Sequence, residues 1–295
     1  MKQPPAKNTL NNDRLIATVY IAPTILLILC ISILPVIYAF RTSLHETVYG
    51  TVGEFIGFEN YRQIFGSSEG WQTIFNSISY AFMSLLIVIP LGTFSAILLS
   101  RKRPLVTLFR TLIILPWVLS QTVTALLWKW LLNGNFGPVS YFWFALTGRK
   151  ADFFNTELTA RLAIVVVNAW FTFPIVLIMV LAALQSIPVE TFEAAEVDGA
   201  SRRQTLWMIT LPMIRPTILT SIVMQSMEYF SMVTLIFVMT AGGPFGATST
   251  ISLKAFQEGF TFWHMGLGSA YSIVIFLLNI VFTLVYIRIL RSSDQ

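Results

Sequence analysis

The sequence predicts an all-α, polytopic membrane protein with six transmembrane helices and both termini on the cytoplasmic side. Its mean hydropathy is +0.72, and charged residues make up 11% of the 295, where a soluble domain carries about a quarter. Six predominantly apolar runs, at about 15–40, 74–99, 108–132, 160–184, 216–240 and 266–290, are each long enough to cross a hydrocarbon core of about 30 Å. They form one transmembrane domain over 15–290 between short cytoplasmic tails at 1–14 and 291–295.

The first run follows Lys2, Lys7 and Arg14, as a secretory signal would. It is longer than a signal's apolar region and no small-residue cleavage pattern follows Phe40, so it reads as a retained helix. Cys30, the only cysteine, lies inside it and leaves no internal disulfide to form. Pro35, Pro90, Pro116 and Pro174 fall within runs and predict kinks, which a bundle tolerates because neighbouring helices re-satisfy freed backbone groups.

Orientation follows from Lys and Arg in the short loops. Twelve of the nineteen lie on the side of the termini, with the clearest cluster in "RKRP" at 101–104. Segments 41–73, 133–159 and 241–265 are then external, and 185–215 is the one sizeable internal loop. The net charge of +5 is mostly this bias and implies no nucleic acid. Trp128, Lys129 and Trp130 at the outer end of the third run read as an aromatic belt with a snorkelling lysine. His45 and His264 lack companion acids at metal spacing and read as solvated loop residues.

The internal loop is unusual for this chain. Glu190, Glu193, Glu196 and Asp198 are four of its fourteen acids. Pro188 and the two early glutamates suit a helix start, Gly199 suits its C-terminal cap, and Ser201 with Gln204 makes a capping box for a second short helix that Pro212 and Pro216 end. A short helix carrying Val189, Phe192, Ala194, Ala195 and Val197 needs something to bury against. An anionic lipid surface would repel its carboxylates, so a soluble protein partner fits better.

The spacing E-A-A, three residues, G, nine residues, I-x-L-P, carried here by Glu193, Ala194, Ala195, Gly199, Ile209, Leu211 and Pro212, resembles the signature of the membrane subunits of bacterial ATP-binding-cassette importers, the binding-protein-dependent inner-membrane components. "FIGFENYRQIF" (55–65), "LPWVLSQTVTALLWKWLLNGNFGPVSYF" (115–142) and "TAGGPFGATSTISLKAFQEGF" (240–260) resemble the carbohydrate-uptake branch, of maltose-permease-F and glycerol-phosphate-permease-A type. The maltose type has extra N-terminal spans that are not seen here, which leaves the core six of a type I importer fold. The resemblance implies an inner-membrane permease that forms a heterodimer with a second, related permease. It also implies two copies of an ATPase gripped through a coupling helix, with Glu190, Glu193, Asp198 and the motif residues at the contact. An extracytoplasmic binding protein would deliver a sugar substrate, and ATP and magnesium would sit on the ATPase, with no cofactor on this chain.

No phosphate-binding G-x-x-x-x-G-K-[ST] occurs, and no nucleophile and base share a face of a run, so the chain does not read as an enzyme. Substrate contact therefore calls for polar or aromatic groups within the membrane, which are costly there. Gln225, Glu228, Tyr229 and Met232, with Ser221 a turn earlier, recur at helical spacing on the fifth run, and Asn168, Phe171 and Thr172 on the fourth. Such side chains suit a sugar, whose ring packs on aromatic faces. In the family that the chain resembles, substrate contacts fall on these two spans, and Asn168, Thr172, Gln225 and Tyr229 match by distance from Glu193. These polar groups could equally be interhelical glue. The rival reading is a proton-coupled secondary transporter using Glu228.

Overall fold

The computed structural model describes residues 9–100 and 106–291; the tail before residue 9, the "RKRP" cluster at 101–104 and the tail after Arg291 lie outside them. The first span is α1 (Thr9–Ile28), a π-turn at Leu29–Ile33 and α2 (Leu34–Ser43). A hairpin of β1 (His45–Val48) and β2 (Thr51–Phe55) follows, antiparallel, and then α3 (Glu59–Gly66). This hairpin departs from the all-α expectation. Its sequence carried the signal: Tyr49 and Gly50 both take positive φ, 49° and 81°, as a two-residue hairpin turn requires.

The second span is α4 (Ser68–Leu99), started by Ser67, whose hydroxyl accepts from the Gly70 amide at 3.0 Å. The fourth is α8 (Glu157–Gln185), capped in the same way by Thr156. The sixth is α14 (Met265–Arg291). The third span is not one helix. It is α5 (Val106–Val118) and α6 (Gln121–Leu131), bent by 96° at the break between them, two residues past Pro116. A short helix α7 (Pro138–Thr147) lies between it and α8.

The fifth span also differs from expectation. After α9 (Val189–Val197), the helix runs from Arg202 to Ser231 through α10 (Arg202–Gln204), a π-turn at Thr205–Thr210 and α11 (Leu211–Ser231). The expected second loop helix is therefore the first turns of the span itself. The chain breaks at Met232 and resumes as α12 (Thr234–Met239), followed by α13 (Ile251–Phe256) and a π-turn at Gln257–Thr261.

Prolines explain part of this pattern. A proline ring clashes with the carbonyl four residues earlier, which for Pro35 is Ile31 and for Pro212 is Met208. Both carbonyls fall inside π-turns, whose wider winding takes up the clash. Pro90 and Pro174, also expected to kink, lie inside unbroken helices.

The core forms around α8, the most deeply buried span. Along it Val165, Val167, Val176, Leu177 and Val180 are closed off from solvent and pack with Tyr80, Val88 and Ala96 of α4 and with Ile214, Tyr229 and Phe230 of α11. Gly92 lets α4 approach α8 closely. A Cβ there would stand 2.7 Å from Val176 Cβ and 3.1 Å from the Leu177 backbone nitrogen. The first span, by contrast, is exposed along its apolar window. A Gly92→Leu substitution should destabilise the purified protein by about 1–3 kcal/mol, as overpacking does, and lower its thermal transition in detergent. Gly66→Ala, where nothing lies within 4 Å of the added carbon, should leave the transition unchanged.

Candidate functional site

At one end of the bundle the chain turns from α8 through α9 into the fifth span. Ile187 and Ala195 are buried and Phe192 packs against the core cluster, so these three fasten α9 to the chain. Glu190, Glu193, Ala194 and Val197 are all exposed, Val197 to 87%. At i, i+3, i+4 and i+7 they form one stripe facing away from the bundle. Asp198 and Gly199 are exposed beside it.

The helix ends in a Schellman motif. The Ala200 amide donates to the Ala195 carbonyl at 2.9 Å and the Gly199 amide to the Glu196 carbonyl at 3.1 Å, the paired 6→1 and 5→2 bonds of that cap. Gly199 takes φ +78°, and nothing lies within 4 Å of where its Cβ would be. Glycine is needed there for its left-handed backbone and not, within this chain, for close packing. Ser201 then opens the next helix with the expected capping box, its amide donating to Gln204 Oε1 at 2.8 Å. Ile209 and Leu211 are half-buried and Pro212 is exposed, all three inside the fifth span.

The intramembrane polar residues divide into two groups. Asn168, Phe171, Thr172, Gln225, Tyr229 and Met232 are all buried within this chain. The Thr172 hydroxyl donates to the Asn168 carbonyl at 2.9 Å, so its bond with Tyr229 Oη at 2.8 Å must receive the tyrosine's proton, and Gln225 Nε2 donates to the same Oη at 2.9 Å. Tyr80, which the sequence reading missed, stacks edge-on against Tyr229 and donates to Met232 Sδ at 3.0 Å. The set joins α4, α8 and α11. Asn168 keeps both side-chain amide atoms buried without a partner.

Glu228 does not share that face. It is exposed, and Gln121 Nε2 donates to its Oε1 at 3.5 Å. Gln121 opens α6 and Glu228 lies one turn before the end of α11, so the pair joins the two spans at their breaks. Further along, Lys129 Nζ donates to the Val238 carbonyl at 2.9 Å, placing a cation on the C-terminal end of α12, where the helix dipole favours it. Lys129 remains exposed while it makes this bond. Trp128 departs from the belt reading, since it is half-buried with its ring 5.4 Å from that of Trp170. The end pieces of spans three and five, α6 and α12, are in this way held side by side.

At the opposite end of the bundle from α9, the 241–250 loop is tied to α4. Asn76 Nδ2 donates to the Gly246 and Ser249 carbonyls at 2.8 and 3.0 Å, and Ser77 Oγ accepts from the Ile251 amide. Both histidines lie at this end. His45 Nδ1 is 2.8 Å from the Arg41 carbonyl, and His264 Nδ1 is 3.0 Å from Glu258 Oε2. His264 therefore has an acid partner that spacing alone did not suggest. Among the described residues no three potential ligands converge on a metal position.

A family model described as binding-protein-dependent transport system inner membrane component matches residues 88–293. The trehalose/maltose transport system permease protein MalF of Thermococcus litoralis is 32% identical over 92% of this chain and 92% of its own length. The sulfoquinovosyl glycerol transport system permease protein SmoG of Agrobacterium fabrum is 31% identical over 96% and 92%. Among solved structures, a bacterial ABC transporter involved in import of the acidic polysaccharide alginate superposes with a TM-score of 0.82 at 23% identity, over 97% of this chain and 98% of that one. These findings give no support to a proton-coupled secondary transporter. The chain belongs to the family of binding-protein-dependent transport system inner membrane components, multi-pass permeases of the inner membrane.

Proposed function

We propose that this chain is one of two related permease subunits in an ATP-driven importer of a sugar or related polyol, with α9 as the helix that receives the motion of a separate ATPase. The observation that carries this reading is the outward stripe of α9. Its glutamates, Ala194 and Val197 are presented to solvent by a helix anchored only on its other face, in a family defined by dependence on other proteins. The names of the relatives, trehalose/maltose and sulfoquinovosyl glycerol transport permeases, support the substrate class.

In this reading both termini and α9 face the cytoplasm, where two ATPase copies bind ATP and magnesium. The hairpin end faces outward and meets the binding protein. Glu193, Ala194 and Ala195 lie in the docking helix, Glu190 and Asp198 flank it, and Gly199 turns the chain back. Because Ile209, Leu211 and Pro212 are already part of the fifth span, a push on α9 reaches α11 through one corner and a continuous helix. The pathway then runs along the face of α11 that carries Glu228, beside Gln121 of α6, between this subunit and its partner. Asn168, Phe171, Thr172, Gln225, Tyr229 and Met232 form the wall behind it, setting the position of α11 against α8.

Gly199→Val should abolish ATP-coupled uptake by the reconstituted complex, since a β-branched residue in a left-handed conformation costs upwards of about 1–2 kcal/mol. Gly199→Asn, which tolerates that conformation, should retain most of it. Equal uptake by both variants would contradict the role of the corner.

Glu228→Ala should change substrate-stimulated uptake across a panel of sugars while basal ATPase activity persists. Tyr229→Phe should instead lower thermal stability by about 1 kcal/mol through the lost hydrogen bonds, because that hydroxyl is spent within the wall.

A further inference from the structure

Helix α7, with sequence PVSYFWFALT, has only Ser140 buried, held by a 3.3 Å bond from its hydroxyl to the Leu132 carbonyl. Tyr141, Phe142, Trp143, Phe144 and Leu146 are all exposed, Tyr141 to 75% and Leu146 to 68%. At 100° per residue these five side chains point almost all the way round the helix, and only Ser140 and the half-buried Val139 near its start face the protein. A helix apolar on nearly every side must be surrounded by an apolar medium. A folded partner would cover one arc, whereas fluid lipid can cover all of them.

The level of α7 is set by its neighbours. Its Trp143 ring lies 6.4 Å from Phe153, four residues before α8 begins. At 1.5 Å per residue the 29 residues of α8 span about 43 Å, beyond the roughly 30 Å core, so Glu157 reaches the polar zone and α7 lies beside it. The helix ends at Gly148 in the left-handed conformation and is followed at once by Arg149 and Lys150. Among the described residues no acid lies within 4.0 Å of either cation. A cleft of about 310 Å³ between α7 and the 134–137 turn is lined by Phe136, Tyr141, Phe144 and Lys150.

We propose that α7 lies flat in the bilayer interface at the hairpin end, and that its cleft holds an anionic phospholipid. The headgroup phosphate pairs with Lys150 and Arg149, and the acyl carbons lie on Phe136 and Phe144. This does not rest on the coupling role of α9 or on the sugar.

Replacing Cys30 by serine removes the only cysteine, so spin labels can be placed singly at 142, 146 or, as an aqueous control, at the hairpin tip residue 49. With the reconstituted complex in phosphatidylcholine–phosphatidylglycerol vesicles, collisions with oxygen should exceed those with the water-soluble nickel chelate at 142 and 146, and the order should reverse at 49. The double substitution Arg149→Glu, Lys150→Glu should move labels 142 and 146 towards the aqueous pattern while the complex still assembles. Wild-type vesicles without phosphatidylglycerol should show the same shift. Nickel access at 142 and 146 in the unaltered chain would place α7 in water, and exclusion of both reagents would place it against protein. Either result overturns the proposal, and insensitivity to charge reversal overturns the phospholipid site.

Discussion

The close approach of α4 to α8 at Gly92 is the contact on which the bundle is built. α8 is the helix that α4, α5 and α11 all pack against, and a side chain at residue 92 would drive α4 off Val176 and Leu177. With the helices that near, Tyr80 of α4 reaches Tyr229 and Met232, and Thr172 of α8 reaches the same tyrosine. One buried phenol thereby gathers three spans. In hydrocarbon the hydrophobic effect does not draw helices together, so van der Waals fit and such hydrogen bonds carry the association.

Around this fixed centre the chain is interrupted where continuity would be costly or unhelpful. Spans three and five both break; Gln121–Glu228 ties them at the breaks, and Lys129 on the end of α12 ties α6 to α12. Span five, by contrast, is continuous at its other end. A π-turn beneath Pro212 keeps the helix running from Arg202 into α11, so the corner at Gly199 adjoins a rod that reaches the polar wall. Stiff at one end and jointed at the other, α11 suits a part that converts a push at the surface into a shift at depth.

Much of this was legible in the sequence. Hydropathy places the apolar runs, and Gly199, Ser201 and Gln204 announce a cap and a capping box by residue type alone, because those geometries are local. The division of the polar residues was not legible. Gln225, Glu228 and Tyr229 share a helical stripe to within the scatter of a 3.6-residue period, yet the packing of α8 and α4 takes two of them and leaves Glu228 outside. Neither was the 96° bend legible, since an apolar run gives no sign of direction and Pro116 resembles Pro90, which is accommodated without a break. The partners of Lys129 and His264 depend on tertiary geometry, whereas the hairpin at 45–55 had a readable turn at Tyr49 and Gly50.

In the proposed function, the exposed stripe of α9 is the surface that the ATPase covers. A direct measurement is the rate of maleimide labelling at a cysteine placed at position 197 in a Cys30→Ser chain, compared between the permease pair alone and the assembled complex. Strong protection on assembly, lost again when the ATPase is stripped away, is the predicted result. Labelling at the same rate in both states would contradict it.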